Sequence, residues 1–290
     1  MKLIKKYKNP IKPKRVVIFG ANGFVGSSIA NDLKSNGIKI FKITRDKYDL
    51  LKEENIKKIR KLLKNDDSII FISAVVPCKN LEMLRQNIII LDNFCKIINN
   101  KKFNHLVNIS SDAVFADSIK KINETSPKEP DSVHGIMHLT REKVLQSYVD
   151  AKKIAHVRPT LIYGKNDPHN GYGPNLFARL IKAKKNIILF GKGEERRDHV
   201  LIDDVVKIVR HVILYKCYGS INAVSGNVIS FYNVARNLKK QIKSKNKIIT
   251  TRRKIPMPHN GYRAFNNSLI KMLFNFKMTD PETGFKQLFK

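Results

Sequence analysis

A short apolar run, Arg15-Val16-Val17-Ile18-Phe19, breaks off into Gly20-Ala21-Asn22-Gly23-Phe24-Val25-Gly26, and residues 27–33 then follow with helical spacing. An apolar run of that length fits a strand buried on both faces, so the local order is strand, glycine turn, helix. Glycine lets the backbone turn sharply and approach a pyrophosphate, while the unpaired N–H groups and the positive end of the helix stabilise the anion. Gly20, Asn22, Gly23, Phe24, Val25 and Gly26 are therefore expected to hold a dinucleotide.

The same alternation continues along the chain. A second strand, 38–43, opens after Gly37 and ends in Thr44-Arg45-Asp46. At that strand end an acidic side chain would hydrogen-bond a ribose diol, whereas an arginine accommodates a 2′-phosphate, so Arg45 favours NADP and Asp46 keeps NAD open. Helical spacing over 55–63 and 87–98 brackets a strand at 68–75. A further apolar run at 106–109 leads into Ser110-Ser111-Asp112-Ala113-Val114-Phe115. Strands and helices alternating at these lengths imply right-handed crossovers and an α/β fold, a Rossmann-type doubly wound parallel sheet. Cofactors of such sheets lie at the carboxyl ends of the strands, which sets Arg45, Ser73, Ala74 and Ser110-Ser111 on one edge with the glycine turn.

Composition narrows the function classes. The net charge of +32 raises nucleic-acid binding, but the lysines are spread through almost every segment beside abundant Ile and Asn. Dispersed lysines make solvated faces and argue against a nucleic-acid site, although the positive field still attracts phosphates. No stretch of about 18 apolar residues exists to span a membrane, and no apolar h-region follows the basic start, so a cytoplasmic protein is expected. Cys78, Cys95 and Cys217 are odd in number and lack metal-ligand spacing, which suits reduced thiols.

Ordered segments run through nearly the whole chain: GANGFVG at 20–26, SSDAVF at 110–115, RPTLIYG at 158–164, GYGPNLFARL at 171–180 and RRDHVLIDDV at 196–205. Together they resemble the NAD(P)-dependent epimerase/dehydratase group of the extended short-chain dehydrogenase/reductase superfamily, whose members act on nucleotide sugars. The resemblance implies NADP or NAD as cofactor and a nucleotide-sugar substrate, with hydride passing between the nicotinamide and a ring carbon. It assigns Ser111 to the oxygen of the reacting carbon. In the family a tyrosine is the general acid/base, and a lysine four residues on binds the nicotinamide ribose and lowers the phenol pKa. His134 and His138 occupy those places here, about one helical turn apart and so on one face, with His138 also at the cofactor.

For the substrate, the resemblance points to Asn175, Arg197 and Arg263. Arg197 can fork onto a diphosphate, Asn175 can bond a phosphate or sugar oxygen, and Arg263 resembles a second phosphate-binding arginine. Glu142 matches the family's acidic residue, while Met137, Val144, Leu145 and Tyr148 form the apolar stripe expected to bury the histidine helix. Asp203 and Asp204 are expected to cap a helix over 205–214. The implied layout is a cofactor domain of residues 1–164 plus 202–225 and a smaller substrate-binding lobe of 165–201 plus 226–290. A homodimer built through a four-helix bundle that includes the His138 helix is implied as well.

The two histidines leave three readings open. His134 is the acid/base, since an imidazole of ordinary pKa about 6.5 moves protons near neutrality without an activating lysine. Alternatively, the lost tyrosine marks a catalytically impaired, cofactor-binding regulatory homologue. The third reading, an i, i+4 metal pair, lacks an evident third ligand, and no metal is expected.

Overall fold

The computed structural model describes residues 1–289. The alternation read from sequence closes into a six-stranded sheet of β1 (Val16–Phe19), β2 (Ile40–Ile43), β3 (Ser68–Phe71), β4 (His105–Ile109), β5 (Ile154–Pro159) and, much later, β9 (Gly219–Ala223). The spatial order is β2-β1-β3-β4-β5-β9, and every pair is parallel.

Alternating side chains decide what covers each face. Val16, Ile18, Ile70, Val107 and Val157 pack with α1 (Phe24–Ser35) and α6 (Ile202–Leu214). Val17, Phe19, Ile69, Phe71 and Leu106 pack on the other side with α2 (Glu54–Leu62), α3 (Leu81–Ile98) and α4 (Val133–Tyr148). Each fully buried side chain of this kind contributes about 1.5–3 kcal/mol, which is why strands with helices on both faces read as uninterrupted apolar runs. The doubly wound α/β fold is therefore the one the pattern demands.

Several boundaries differ from the sequence reading for identifiable reasons. The strand expected over 68–75 ends at Phe71; Ile72 and Ser73 still donate to the Phe19 carbonyl, and the chain then leaves the sheet. Helix α3 begins six residues before position 87 because the Asn80 side chain accepts from Met83 N–H, a cap that apolar spacing does not reveal. Tyr148, expected in the buried stripe of α4, is 51% exposed, whereas Met137 and Leu145 are buried.

Between β5 and β9, and again after β9, the chain builds a smaller layer from β6 (Leu161–Tyr163), β7 (Ile187–Phe190), β8 (Arg196–Leu201), β10 (Val228–Ser230), β11 (Ile248–Thr251) and β12 (Tyr262–Arg263). Strand β8 pairs with β6, β10 and β12, while β7 pairs with β11. A third apolar cluster, with Phe177, Ile181, Phe231, Val234 and Phe285, unites α5 (Pro174–Lys182), α7 (Phe231–Gln241) and α9 (Pro281–Gln287). Helix α8 (Ser268–Phe274) behaves differently from α7 and α9, because Leu269, Ile270 and Phe274, with the neighbouring Phe265 and Met278, join the core shared with α1 and α6.

Asp203 and Asp204 do not cap α6. The helix starts at Ile202, its N-cap is Leu201 without a side-chain bond, and both acids sit inside the first turn. Asp204 is fully buried and accepts from Thr279 N–H at 2.7 Å and Thr279 Oγ1 at 3.1 Å, tying the segment before α9 to α6. Among the described residues, no helix is long and apolar enough to cross a membrane.

Candidate active site

From β1 the chain passes to β2 on one side and then to β3 on the other, so the strand order reverses between β1 and β3. A crevice opens at such a reversal, above the carboxyl ends of the strands. Two glycines make it possible. A Cβ on Gly20, whose φ is +89°, would lie 2.9 Å from Ser73 N, and a Cβ on Gly26 would lie 2.1 Å from the Gly20 carbonyl oxygen. Only glycine lets α1 leave so close to the turn. Its N-cap, Gly23, provides no side-chain bond, so the first-turn N–H groups lack both intrahelical and capping partners. An unpaired donor set beneath a glycine cradle fits a pyrophosphate.

The cavity here, about 370 Å³, is lined by Gly20, Gly23, Phe24, Val25, Gly26, Arg45, Ser73 and Ala74. The Arg45 side chain is 75% exposed and stands 3.9 Å from Asp49. Asn22 stands outside the lining of the cavity, and its amide donates to Asp46 Oδ1 at 3.3 Å.

The cleft continues through Phe24, Val25 and Ala74 into a larger cavity of about 640 Å³, lined by Ser111, His134, His138, Asn175 and Arg197 among others. Ser111 follows β4, and its hydroxyl accepts from Ala113 N–H at 3.2 Å, starting a single turn of 3₁₀ helix. Against that turn lies α4, capped by Ser132, whose hydroxyl accepts from Gly135 N–H. A Cβ on Gly135 would meet the Ala113 carbonyl oxygen at 2.1 Å, so glycine is what allows the histidine helix to touch the serine segment.

The His134 and His138 rings meet edge to face, with centroids 4.7 Å apart. His134 Nδ1 accepts a long 3.4 Å bond from Cys78 N–H, which leaves Nε2 as the ring nitrogen for the cavity. Burial lowers its pKa, with Asp112 opposing. His138 is buried, its Nδ1 has no partner, and burial drives its pKa well below the ordinary value, helped by repulsion from His134 and Arg141. A neutral His138 cannot supply the charge of a lysine.

A cation stands one turn further on. Arg141 shares the helix face of His134 and His138, is buried, lies 3.8 Å over the Phe71 ring, and donates to the carbonyls of Phe71 at 2.8 Å and Ser73 at 3.0 Å. Burial pulls its pKa down to about 9. The sequence reading missed it, although a charged residue at the i+7 position of a buried stripe was the available signal. Asp112 was missed too; it lines the larger cavity beside Ser111. Glu142 pairs with Arg158 through two buried bonds of 2.7 Å and so braces α4 against β5.

On the lobe side, Arg197 lines the cavity and donates to Glu195 at 3.1 Å, while Arg253 stands 3.7 Å from the same carboxylate. Two guanidiniums on one carboxylate leave an excess of positive charge. Asn175 lines the cavity as well, but its amide accepts from Gly164 N–H at 3.2 Å and donates to the Gly164 carbonyl at 2.7 Å, so it also holds the turn before α5.

Arg263 stands apart from both cavities. It is 1% exposed, it does not line the cavity, and its guanidinium donates to Asp112 Oδ2, Asp117 Oδ1 and the carbonyls of Asp112 and Phe115. Its donors are consumed inside the protein and are not available to a phosphate. Among the described residues, candidate metal-ligand atoms converge only at Asp117, Asp131 and His259, where Arg263 shares the same Asp117 oxygen; the His134–His138 pair joins no such group.

The parallel sheet, with its glycine turn at the reversal of strand order, defines a dinucleotide-binding protein of Rossmann type. Residues 16–223 match the NAD dependent epimerase/dehydratase family, and the chain belongs to that family. It is 23% identical to UDP-glucose 4-epimerase of Mycolicibacterium smegmatis, over 66% of this chain and 71% of that protein. It is 24% identical to ADP-L-glycero-D-manno-heptose-6-epimerase of Brachyspira hyodysenteriae, over 79% and 81%. Its fold superposes on UDP-glucose 4-epimerase of Thermotoga maritima with a TM-score of 0.80 at 18% identity, covering 94% of this chain and 97% of that one. A GDP-L-fucose synthetase of Naegleria fowleri bound to NADP gives 0.81 at 16% identity, covering 97% and 94%.

Because Arg263 neutralises two carboxylates from a buried position, Arg263→Met should lower stability by about 3–5 kcal/mol in urea unfolding. A variant that unfolds like the parent would return Arg263 to the list of ligand-binding residues.

Proposed function

We propose that the chain is an NAD(P)-dependent nucleotide-sugar epimerase or oxidoreductase in which His134 takes the place of the usual tyrosine. The observation that carries this reading is one continuous cleft in which the glycine turn, Ser111, His134 and Arg197 all line the wall. The bound dinucleotide would supply the hydride acceptor and donor. Ser111 would hold the oxygen of the reacting ring carbon, since its hydroxyl both donates and accepts. His134 would take the proton from that oxygen or return it. Arg197 would take the diphosphate, with its excess of positive charge close by. Arg141 would fix a positive charge behind the Ser73 edge, in place of the one His138 has lost.

The test is turnover of UDP-, GDP- and ADP-linked sugars with NADP or NAD present, scored both for epimer and for consumption of reduced cofactor. Tight cofactor binding without turnover of any sugar would establish a regulatory homologue instead. With a working substrate, neutral His134 is the competent base and its pKa lies below 6.5. Log kcat/KM should be flat above that midpoint, fall as pH drops through it, and lose this dependence in His134→Ala.

Exposed Arg45 at the rim, with Asp46 turned to Asn22, favours NADP over NAD. By calorimetry, Arg45→Ala should weaken NADP roughly tenfold, about 1.4 kcal/mol, and leave NAD nearly unchanged. Equal weakening of both would remove the preference.

A homodimer through α3 and α4 is supported by apolar side chains left open on those helices, Leu81, Ile88, Ile136 and Tyr148. Sedimentation equilibrium should show a dimer that Ile136→Glu converts to monomer; a monomeric parent would end this reading.

A further inference from the structure

Strand β8 carries Arg197 and, two residues on, His199, so the two side chains share a face, and both line the larger cavity. The His199 ring sits in an aromatic slot, edge to face with Phe231 at 5.5 Å, where Phe231 itself contacts Tyr172 and Phe177. It lies beneath the start of α5: a Cβ on Gly173 would be 3.7 Å from His199 Nε2, and Gly173, the uncapped N-cap, has φ +143°, which other residues rarely adopt.

The residue is 4% exposed, and neither ring nitrogen makes a well-formed hydrogen bond in the protein, the Arg197 backbone offering only a weak one. A neutral imidazole always bears one N–H and one lone pair, and burying both unpaired is costly. A phenylalanine would fill the same slot without that penalty. Burial, reinforced by the charge of Arg197, lowers the pKa to about 3, although the weak hydrogen bond to the Arg197 backbone opposes the shift. The ring is therefore uncharged at neutral pH and adds nothing to the attraction of a diphosphate. One donor and one acceptor instead match a hydroxyl group, which is both. Among the described residues His199 joins no cluster of metal-ligating atoms.

We propose that His199 is a substrate-reading residue that exchanges hydrogen bonds with a hydroxyl of the cavity ligand while Arg197, roughly 6–7 Å back along the same strand face, holds the diphosphate. The inference rests on the nucleotide-sugar reading above and adds that selectivity among such ligands is written at this position. The hydroxyl belongs either to the ribose or to the diphosphate-linked sugar, and the two sources are separable.

The experiment uses the full chain with His199→Phe and His199→Gln. Each is measured for melting temperature and for calorimetric affinity towards NADP, the free diphosphates UDP, GDP and ADP, and their sugar conjugates. His199→Phe should melt higher, bind NADP as the parent does, and lose at least tenfold in affinity for the preferred nucleotide sugar. His199→Gln, which keeps a donor and an acceptor, should stay within about threefold of the parent. Loss on the free diphosphate as well as the conjugate assigns the ribose hydroxyl; loss on the conjugate alone assigns the sugar. A Phe variant that gains stability and binds the conjugate as tightly as the parent overturns the inference and leaves the functional reading standing. So does an equal loss in both variants. A parent that binds NADP but none of the conjugates overturns both.

Discussion

The close approach of Gly26 to the Gly20 carbonyl is the contact on which the rest of the cleft depends. Any Cβ at position 26 would collide with that oxygen at 2.1 Å, so α1 can start only where glycine permits it. That start aims unpaired N–H groups at the reversal of strand order, and the segment just past the end of β3 meets the turn at Ser73. Gly135 repeats the device on the substrate side, where α4 rests on the carbonyl of Ala113. Two backbone approaches that tolerate no side chain therefore fix both walls of one crevice. The chemistry between them can change without moving either wall.

That separation explains how a histidine pair can stand in an otherwise ordinary site. A tyrosine needs a nearby cation to bring a phenol of pKa about 10 within reach of neutrality, whereas an imidazole needs none. His138 is neutral because it is buried, and the cation on this face is Arg141, held by two carbonyls and the Phe71 ring. The positive charge has moved one turn along the helix and away from the cavity wall. Its position behind Ser73 suits electrostatic support of the cofactor edge better than direct contact with a ligand.

What the sequence made legible follows the physics of each signal. The strand runs, the glycine turn and the order of elements were readable because periodicity and φ requirements are local. The places of Ser73 and Arg45 at the edge of the cavity followed from topology alone. Arg263 was not readable, because its partners Asp112 and Asp117 lie about 150 positions away in sequence and only the fold brings them together. The bond between Asn22 and Asp46 was hidden for a similar reason, since each is a sound cofactor contact by position and only the fold brings the two together. Nothing local marks His199, since a strand position does not announce that its polar atoms will be buried without well-formed hydrogen bonds.

The excess of basic residues has a spatial order that the net charge conceals. Acidic side chains are few, 24 against 56 lysines and arginines, and several of them meet arginines inside or at the edge of the protein. Arg15 meets Asp67, Arg158 meets Glu142, Arg210 meets Asp32, and Arg263 meets Asp112 and Asp117. A guanidinium suits such places because its planar fork satisfies several acceptors at once. The unmatched lysines remain on the solvated surface, where they raise the potential everywhere without defining a site. Beside the cavity two arginines share one glutamate, and behind its wall Arg141 is held by two carbonyls and the Phe71 ring. The cleft thus keeps a local surplus of fixed positive charge within a globally positive field, and that surplus gives an anionic, phosphate-bearing ligand a defined place to bind.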